Sequence, residues 1–254
     1  MSDRAVSDAA VSDTGGVISG TPRKRVLEPL VQESTPAIIA RKLRTAIAAG
    51  DFPPGSQLTE AGLAADLGVS RGPLREAMQR LTQEGLLVSY RNRGLFVISM
   101  DDADINDMYV ARSAVERAAL AQVVARRDPD DIAALNQAID RMQSFADDPN
   151  GPEIADSDMS FHALLVECAR SPRLSRIHET ILVETRMCLG AMRGTYASAQ
   201  ARIDEHTDIV AAIVDGDTSR ADELMIAHMR DGLARLLPDE TSFTAPVMPP
   251  AHPT

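Results

Sequence analysis

The sequence predicts a mostly α-helical protein, an N-terminal winged helix-turn-helix followed by an antiparallel all-α bundle of about six helices. Three observations carry that expectation. Apolar residues recur at helical spacing over most of the stretch from Pro36 to Leu237, interrupted at Gly and Pro. Two short helical patterns on either side of Gly68 are followed by two β-prone runs, Leu86 to Tyr90 and Leu95 to Ser99. The 254 residues are 44% hydrophobic but only 3% aromatic, with no Trp, as in an Ala/Leu-rich helical core.

The chain opens on a stretch low in bulky residues, in which Ala-Val-Ser-Asp occurs twice, and residues 1–34 are expected to be a disordered tail. A first folded domain is expected at 35–99. Its first helix starts at Thr35 and Pro36, carries Ile39, Leu43 and Ile47 on one face, and stops at Gly50. Arg41, Lys42 and Arg44 are expected on its exposed surface. Thr59 precedes a short helix whose Leu63 and Leu67 lie one turn apart, and Gly68 closes it where positive φ is wanted. Ser70 then caps a second helix, Pro73 sits in its first turn, and Leu74, Ala77, Met78 and Leu81 form its buried stripe. Arg71, Arg75, Gln79 and Thr82 share the opposite side. Glu84 and Gly85 end this helix, and the two β-prone runs make a hairpin tipped by Arg91, Asn92, Arg93 and Gly94.

Two short helices joined by a Gly-containing turn are a DNA-reading unit, in which the N-terminal residues of the second helix meet base edges in the major groove. A guanidinium fork suits guanine or a phosphate. The basic hairpin tip supplies charge for flanking phosphates, and Gly94 lets the backbone come close to a narrow groove. The alternative is a small amphipathic helical unit with a solvated charged face.

The net charge of −11 is divided unevenly: residues 36–98 carry eight Lys or Arg against five Asp or Glu, and residues 99–254 fourteen against twenty-seven. A basic head on an acidic body confines phosphate attraction to one face.

The segment resembles the winged-helix domain of GntR-family bacterial transcription regulators. The matching residues are Phe52-Pro53-Pro54-Gly55, Leu63-Ala64, Leu67-Gly68-Val69-Ser70-Arg71, Pro73-Leu74-Arg75-Glu76-Ala77, Leu81, Glu84-Gly85-Leu86 and Arg93-Gly94. In that family the residues equivalent to Ser70, Arg71, Arg75 and Gly94 lie at the DNA. Ala61 and Gly62 stand where some members carry a further basic residue. The candidate DNA contacts are Arg44, Ser70, Arg71, Pro73, Arg75, Gln79, Arg91, Arg93 and Gly94. The implied partner is a pseudo-palindromic double-stranded operator bound by a homodimer.

After Ser99, a short linker leads into a second domain, expected at 102–237. Its helices are expected at about 102–126, 129–146, 152–170, 172–193, 198–215 and 217–237, separated by Pro, Gly and Asp breaks. Pro238 stops the last helix, and 238–254 is expected to be a flexible tail. Cys168 and Cys188 form no metal-ligand or redox motif and are expected to be buried free thiols. No apolar run approaches about 18 residues, and the N-terminus lacks a signal peptide's apolar core, so no membrane partner and a cytoplasmic location are expected.

Within the bundle, Asp158 and His162 stand four apart on the face that carries Leu165, Val166 and Ala169. His206 shares a stripe with Val210 and Ile213, and His228 one with Ala221, Leu224 and Met225. One carboxylate and three imidazoles on inward faces suit a divalent transition metal, Zn, Ni, Mn or Fe. Each histidine alone also reads as a hydrogen-bonded core residue.

These positions resemble the FCD effector domain of the FadR subfamily, in which they form a metal site beside an effector pocket. The resemblance implies a regulator, most simply a repressor, modulated by a small carboxylate. Arg112, Glu116 and Arg186 are candidate effector contacts, although an internal Arg112 to Glu116 ion pair explains the first two equally well. His178 matches no ligand position and is read as structural. No enzymatic activity is expected. The alternatives are a metal-dependent hydrolase and a DNA-binding protein whose metal is purely structural.

Overall fold

The computed structural model describes residues 33–148, 152–191, 198–237 and 243–247. The expected N-terminal tail falls, except for Glu33 and Ser34, outside the described residues.

The fold is mostly helical, with a small antiparallel sheet in its N-terminal part. Helix α1, Thr35–Ala49, begins where the Ser34 hydroxyl accepts from the Ala37 amide at 3.4 Å and ends at Gly50 with φ of 82°. Helix α2, Glu60–Leu67, is capped by Thr59 and closed by Gly68. Helix α3, Arg71–Gln83, follows at once and buries Leu74, Ala77, Met78 and Leu81 as the spacing predicts.

Strands β2, Leu87–Tyr90, and β3, Gly94–Val97, form the expected hairpin, with Asn92 in the left-handed region at its tip. A two-residue strand β1, Gln57–Leu58, pairs with β3, giving the order β1-β3-β2. Two residues are too short for any periodicity to announce them.

Among the described residues six further helices follow: α4 Asp102–Arg126, α5 Pro129–Gln143, α6 Pro152–Cys168, α7 Pro172–Ala191, α8 Ala199–Asp215 and α9 Thr218–Leu236. A reciprocal capping box of Asp101 and Asp104 starts α4, and Asp128, Ser198 and Asp217 cap α5, α8 and α9. Helix α4 packs against α6, α7, α8 and α9. Phe161, Leu120, Leu135, Leu165 and Ile209 are among the fully buried residues of the bundle core.

A second apolar cluster joins α1, α2, α3 and the sheet, and it includes Val183 and Met187 of α7. That packing overturns one expectation. Arg44 is 8% exposed instead of lying on the surface, because α1 is covered by α3 on one side and α7 on another. Its guanidinium pairs internally, with Nη2 on Glu84 at 2.7 Å and Nη1 on Glu179 at 2.9 Å.

The expected flexible tail falls mostly outside the described residues, but 243–247 lies against the bundle. Phe243 packs on the core, and the buried Arg117 donates to the Pro246 carbonyl while also pairing with Asp222.

Candidate metal centre and nucleic-acid interface

Asp158 and His162 project from one face of α6, His206 comes from α8 and His228 from α9, and all four are buried. One ligand atom from each lies within 4.8 Å of the others. His162 Nε2 is 3.0 Å from His228 Nε2 and 3.4 Å from His206 Nε2. The Asp158 carboxylate stands 3.5 Å from His206 Nε2 and 4.0 Å from His162 Nε2.

The outer nitrogens explain this orientation. His162 Nδ1 meets Glu116 Oε2 at 2.6 Å, His206 Nδ1 meets the Arg202 carbonyl at 2.7 Å, and His228 Nδ1 meets Glu205 Oε2 at 2.7 Å. Carbonyls and carboxylates only accept, so each Nδ1 carries its proton, and a ring in its neutral form then turns an Nε2 lone pair inward. Burial depresses His162 to about 4 and His206 well below the usual histidine value, which favours that neutral form. Burial would raise Asp158, but the Arg202 guanidinium outweighs it and holds the carboxyl far below its usual range. Among the described residues the buried Asp158 Oδ1 makes no hydrogen bond, with Arg202 Nε standing 3.5 Å away.

Three lone pairs and a carboxylate facing one point repel one another, and the arrangement becomes favourable around a cation. Ligand atoms about 2.1 Å from one ion lie roughly 3.0 to 4.2 Å apart, which the measured separations approach. The donor set therefore fits a divalent transition metal.

Glu116, fully buried on α4, forms the wall behind His162. It accepts from Arg112 Nε at 2.7 Å and meets His178 Nε2 at 2.9 Å. Burial alone would raise its pKa, yet His162, Arg112 and His178 hold it well below the carboxylate range. Thus Glu116 orients a candidate ligand, as outer-shell carboxylates do. His178, which carried no sequence signal, belongs to the same wall.

A cavity beside the cluster is lined by Tyr109, Arg112, Asp158, Arg202, His228 and Arg235, among others, and offers about 20 Å³ to the centre of a water molecule. Of the three effector candidates, Arg112 lines it, and its buried Nη2 has no hydrogen-bond partner among the described residues. Glu116 lies behind His162. Arg186 pairs with Asp156 at 3.3 Å, is 38% exposed and does not line this cavity. Sequence reasoning passed over Arg202 and Arg235, although their spacing of four and seven residues from His206 and His228 puts them on the ligand faces.

In the N-terminal part, Ser70, Arg71, Arg75 and Gln79 are exposed along α3, with Pro73 half-buried, and Arg91, Arg93 and Gly94 are exposed on the hairpin. The Ser70 hydroxyl makes no capping bond to the helix it precedes. Arg93 stacks 5.6 Å from both the Tyr90 and Phe96 ring centres, and its carbonyl accepts from Gln57 Nε2 at 2.7 Å. Gly94 has φ of 103°, a backbone conformation in which any other residue is strained, so the hairpin itself favours glycine there. Arg44 is not on this surface.

Residues 37–97 match the family model for bacterial regulatory proteins of the gntR family, and residues 107–231 match the FCD domain. The chain belongs to the GntR family. This GntR regulator is 36% identical over 130 residues to an uncharacterised HTH-type transcriptional regulator in the TAR-I ttuE-ttuC' intergenic region of Agrobacterium vitis, covering 50% of this chain and 76% of the relative. It is 27% identical over 199 residues to the HTH-type transcriptional repressor GlaR of Escherichia coli K12, covering 74% of this chain and 90% of GlaR. A structural-genomics GntR crystal structure from Rhodococcus sp. RHA1 superposes with a TM-score of 0.67 at 27% identity, covering 82% of this chain and all of that one. The protein is a DNA-binding transcriptional regulator of the GntR and FCD type. Among the described residues, no helix is long and apolar enough to cross a membrane.

Proposed function

We propose that this GntR regulator is a homodimeric repressor of a pseudo-palindromic operator, relieved by a small carboxylate bound beside a divalent metal. Residues 35–99 are the reading domain and 102–237 the effector and dimerisation domain. Asp158, His162, His206 and His228 hold the metal. The observation that carries this reading is the inward turn of three Nε2 atoms whose Nδ1 partners are all occupied.

A bound divalent ion supplies a positive, Lewis-acidic centre for a carboxylate oxygen. The chain's own part is to orient and to select. Glu116 and Glu205 fix two ring tautomers, and the Arg202 carbonyl fixes the third. Arg112 presents a buried Nη2 to the cavity, where an anionic guest satisfies it. At the other end, Ser70, Arg71, Pro73, Arg75 and Gln79 meet the major groove, and Arg91, Arg93 and Gly94 the adjoining backbone. Carboxylate binding relieves repression through unequal affinity for the DNA-competent and incompetent arrangements of the dimer.

The test is fluorescence anisotropy on DNA from upstream of the chain's own gene, with wild type and Arg75→Ala, titrated with a panel of carboxylates with and without chelator. Specific binding that is lost in Arg75→Ala, and weakened by a carboxylate only with metal present, supports the reading. Binding indifferent to every carboxylate and to chelator overturns the effector part and leaves any metal a structural role.

A further inference from the structure

Glu60 and Arg75 meet where a carboxylate is costly. Glu60 opens α2, and Arg75 lies in the second turn of α3. The carboxylate takes the guanidinium Nε at 3.0 Å and Nη2 at 2.8 Å. The two side chains are 38% and 67% exposed, so the pair contributes little to stability. Both line the groove between α3 and the hairpin, together with Gln79 and Gly94. On a surface that meets DNA, a carboxylate repels the phosphates and cancels one of the positive charges that attract them.

The guanidinium's shape gives the pair a use. Its five N–H groups lie in one plane, and a carboxylate across Nε and Nη2 fixes that plane. The Nη1 end of the fork is left for another acceptor. A free arginine on an exposed turn samples many rotamers and satisfies itself on any phosphate in reach. A fixed one presents a single edge in a single orientation, and direct readout of a guanine through O6 and N7 requires that.

We propose that Glu60 is a specificity-determining residue, which holds the Arg75 guanidinium in the plane that reads a guanine and withholds it from the phosphates. The proposal rests on the reading above that Arg75 faces the bases. It assigns Glu60 a positioning role in recognition, acting through Arg75 and not through its own contact with DNA.

Duplexes bound by the wild-type chain are selected from a randomised library. Anisotropy then gives Kd on a selected duplex, on versions with each G·C pair changed to A·T, and on an unrelated duplex, for wild type, Glu60→Gln and Arg75→Ala. For Glu60→Gln we expect discrimination at one G·C pair per half-site to fall roughly tenfold. Binding to the unrelated duplex is retained or tightened, and the salt dependence steepens by about one unit of log–log slope as the released guanidinium takes a phosphate. The thermal midpoint stays at the wild-type value. Arg75→Ala loses discrimination at the same pair. If Glu60→Gln tightens every duplex by one common factor with discrimination intact, Glu60 is a repulsive charge only and the proposal is overturned. If Arg75→Ala leaves discrimination at every G·C pair unchanged, the base-reading role of Arg75 fails, and the proposal with it.

Discussion

Arg44 of α1 and Glu179 of α7 form an ion pair at 2.9 Å, and the same guanidinium holds Glu84 at the end of α3. One buried cation thus ties the helix that presents the candidate DNA contacts to a helix whose next residue toward the N-terminus, His178, touches Glu116 behind the metal cluster.

Arg44→Ala is expected to cost about 1–2 kcal/mol. Removing one partner of a buried pair is expensive, but both carboxylates retain some water here, which lowers the loss. Denaturant unfolding measures it. Because Arg44 is not on the DNA-facing surface, the log–log salt slope of operator binding should stay at the wild-type value, and a slope shallower by one unit would place Arg44 on a phosphate after all.

Adding a divalent transition metal to chelator-treated protein should raise the thermal midpoint. At a concentration of roughly one hundred times Kd the gain is about 2.7 kcal/mol. His206→Ala should abolish the gain, since it removes one of four donors, and an equal metal-induced shift in that variant would exclude the cluster as the site.

Glu116→Gln keeps the shape of the buried wall but removes the charge that binds His162 Nδ1. Calorimetric metal affinity is expected to fall 10–100-fold, the usual effect of losing an outer-shell carboxylate. His178→Ala, which leaves Glu116 one hydrogen bond short, should give a smaller loss in the same direction. Unchanged affinity in both variants would make the network a packing device only.

Glu184 on α7 supplies a pH dependence away from the metal cluster. Burial, reinforced by Asp104 on α4, pushes its carboxyl up to about 7. The folded state therefore binds this proton more tightly than the unfolded chain, and the contribution to stability falls as pH rises from the ordinary carboxylate range through 7. Glu184→Gln should raise the thermal midpoint by a few degrees at pH 8 and by much less at pH 5. An equal rise at both pH values would rule out ionisation as the cause.

The local parts of this protein were legible because their signals are local. Thr59 and Ser70 at helix starts, the closing Gly50 and Gly68, the Pro, Gly and Asp breaks between the later helices, and apolar stripes placed the helix ends within a few residues. Asp158 and His162 could be paired because four residues make one helical turn, and His206 and His228 because each sits on an apolar stripe. Arg44 shows the opposite case. A charged residue among Arg41 and Lys42 reads as surface, and nothing near it in the chain announces that α7, more than a hundred residues later, will cover it.

By itself the sequence determined the helical class, the reading motif and the four candidate ligand positions, because each depends on residues within a few turns of one another. Only the tertiary structure decided that Glu116, Arg202 and Glu205 fix the three imidazoles, that His178 joins them, that Arg112 lines the cavity while Arg186 does not, and that Glu60 grips Arg75. Most of those contacts join different helices, and all depend on which rotamers the packing permits, which no periodicity along one segment encodes.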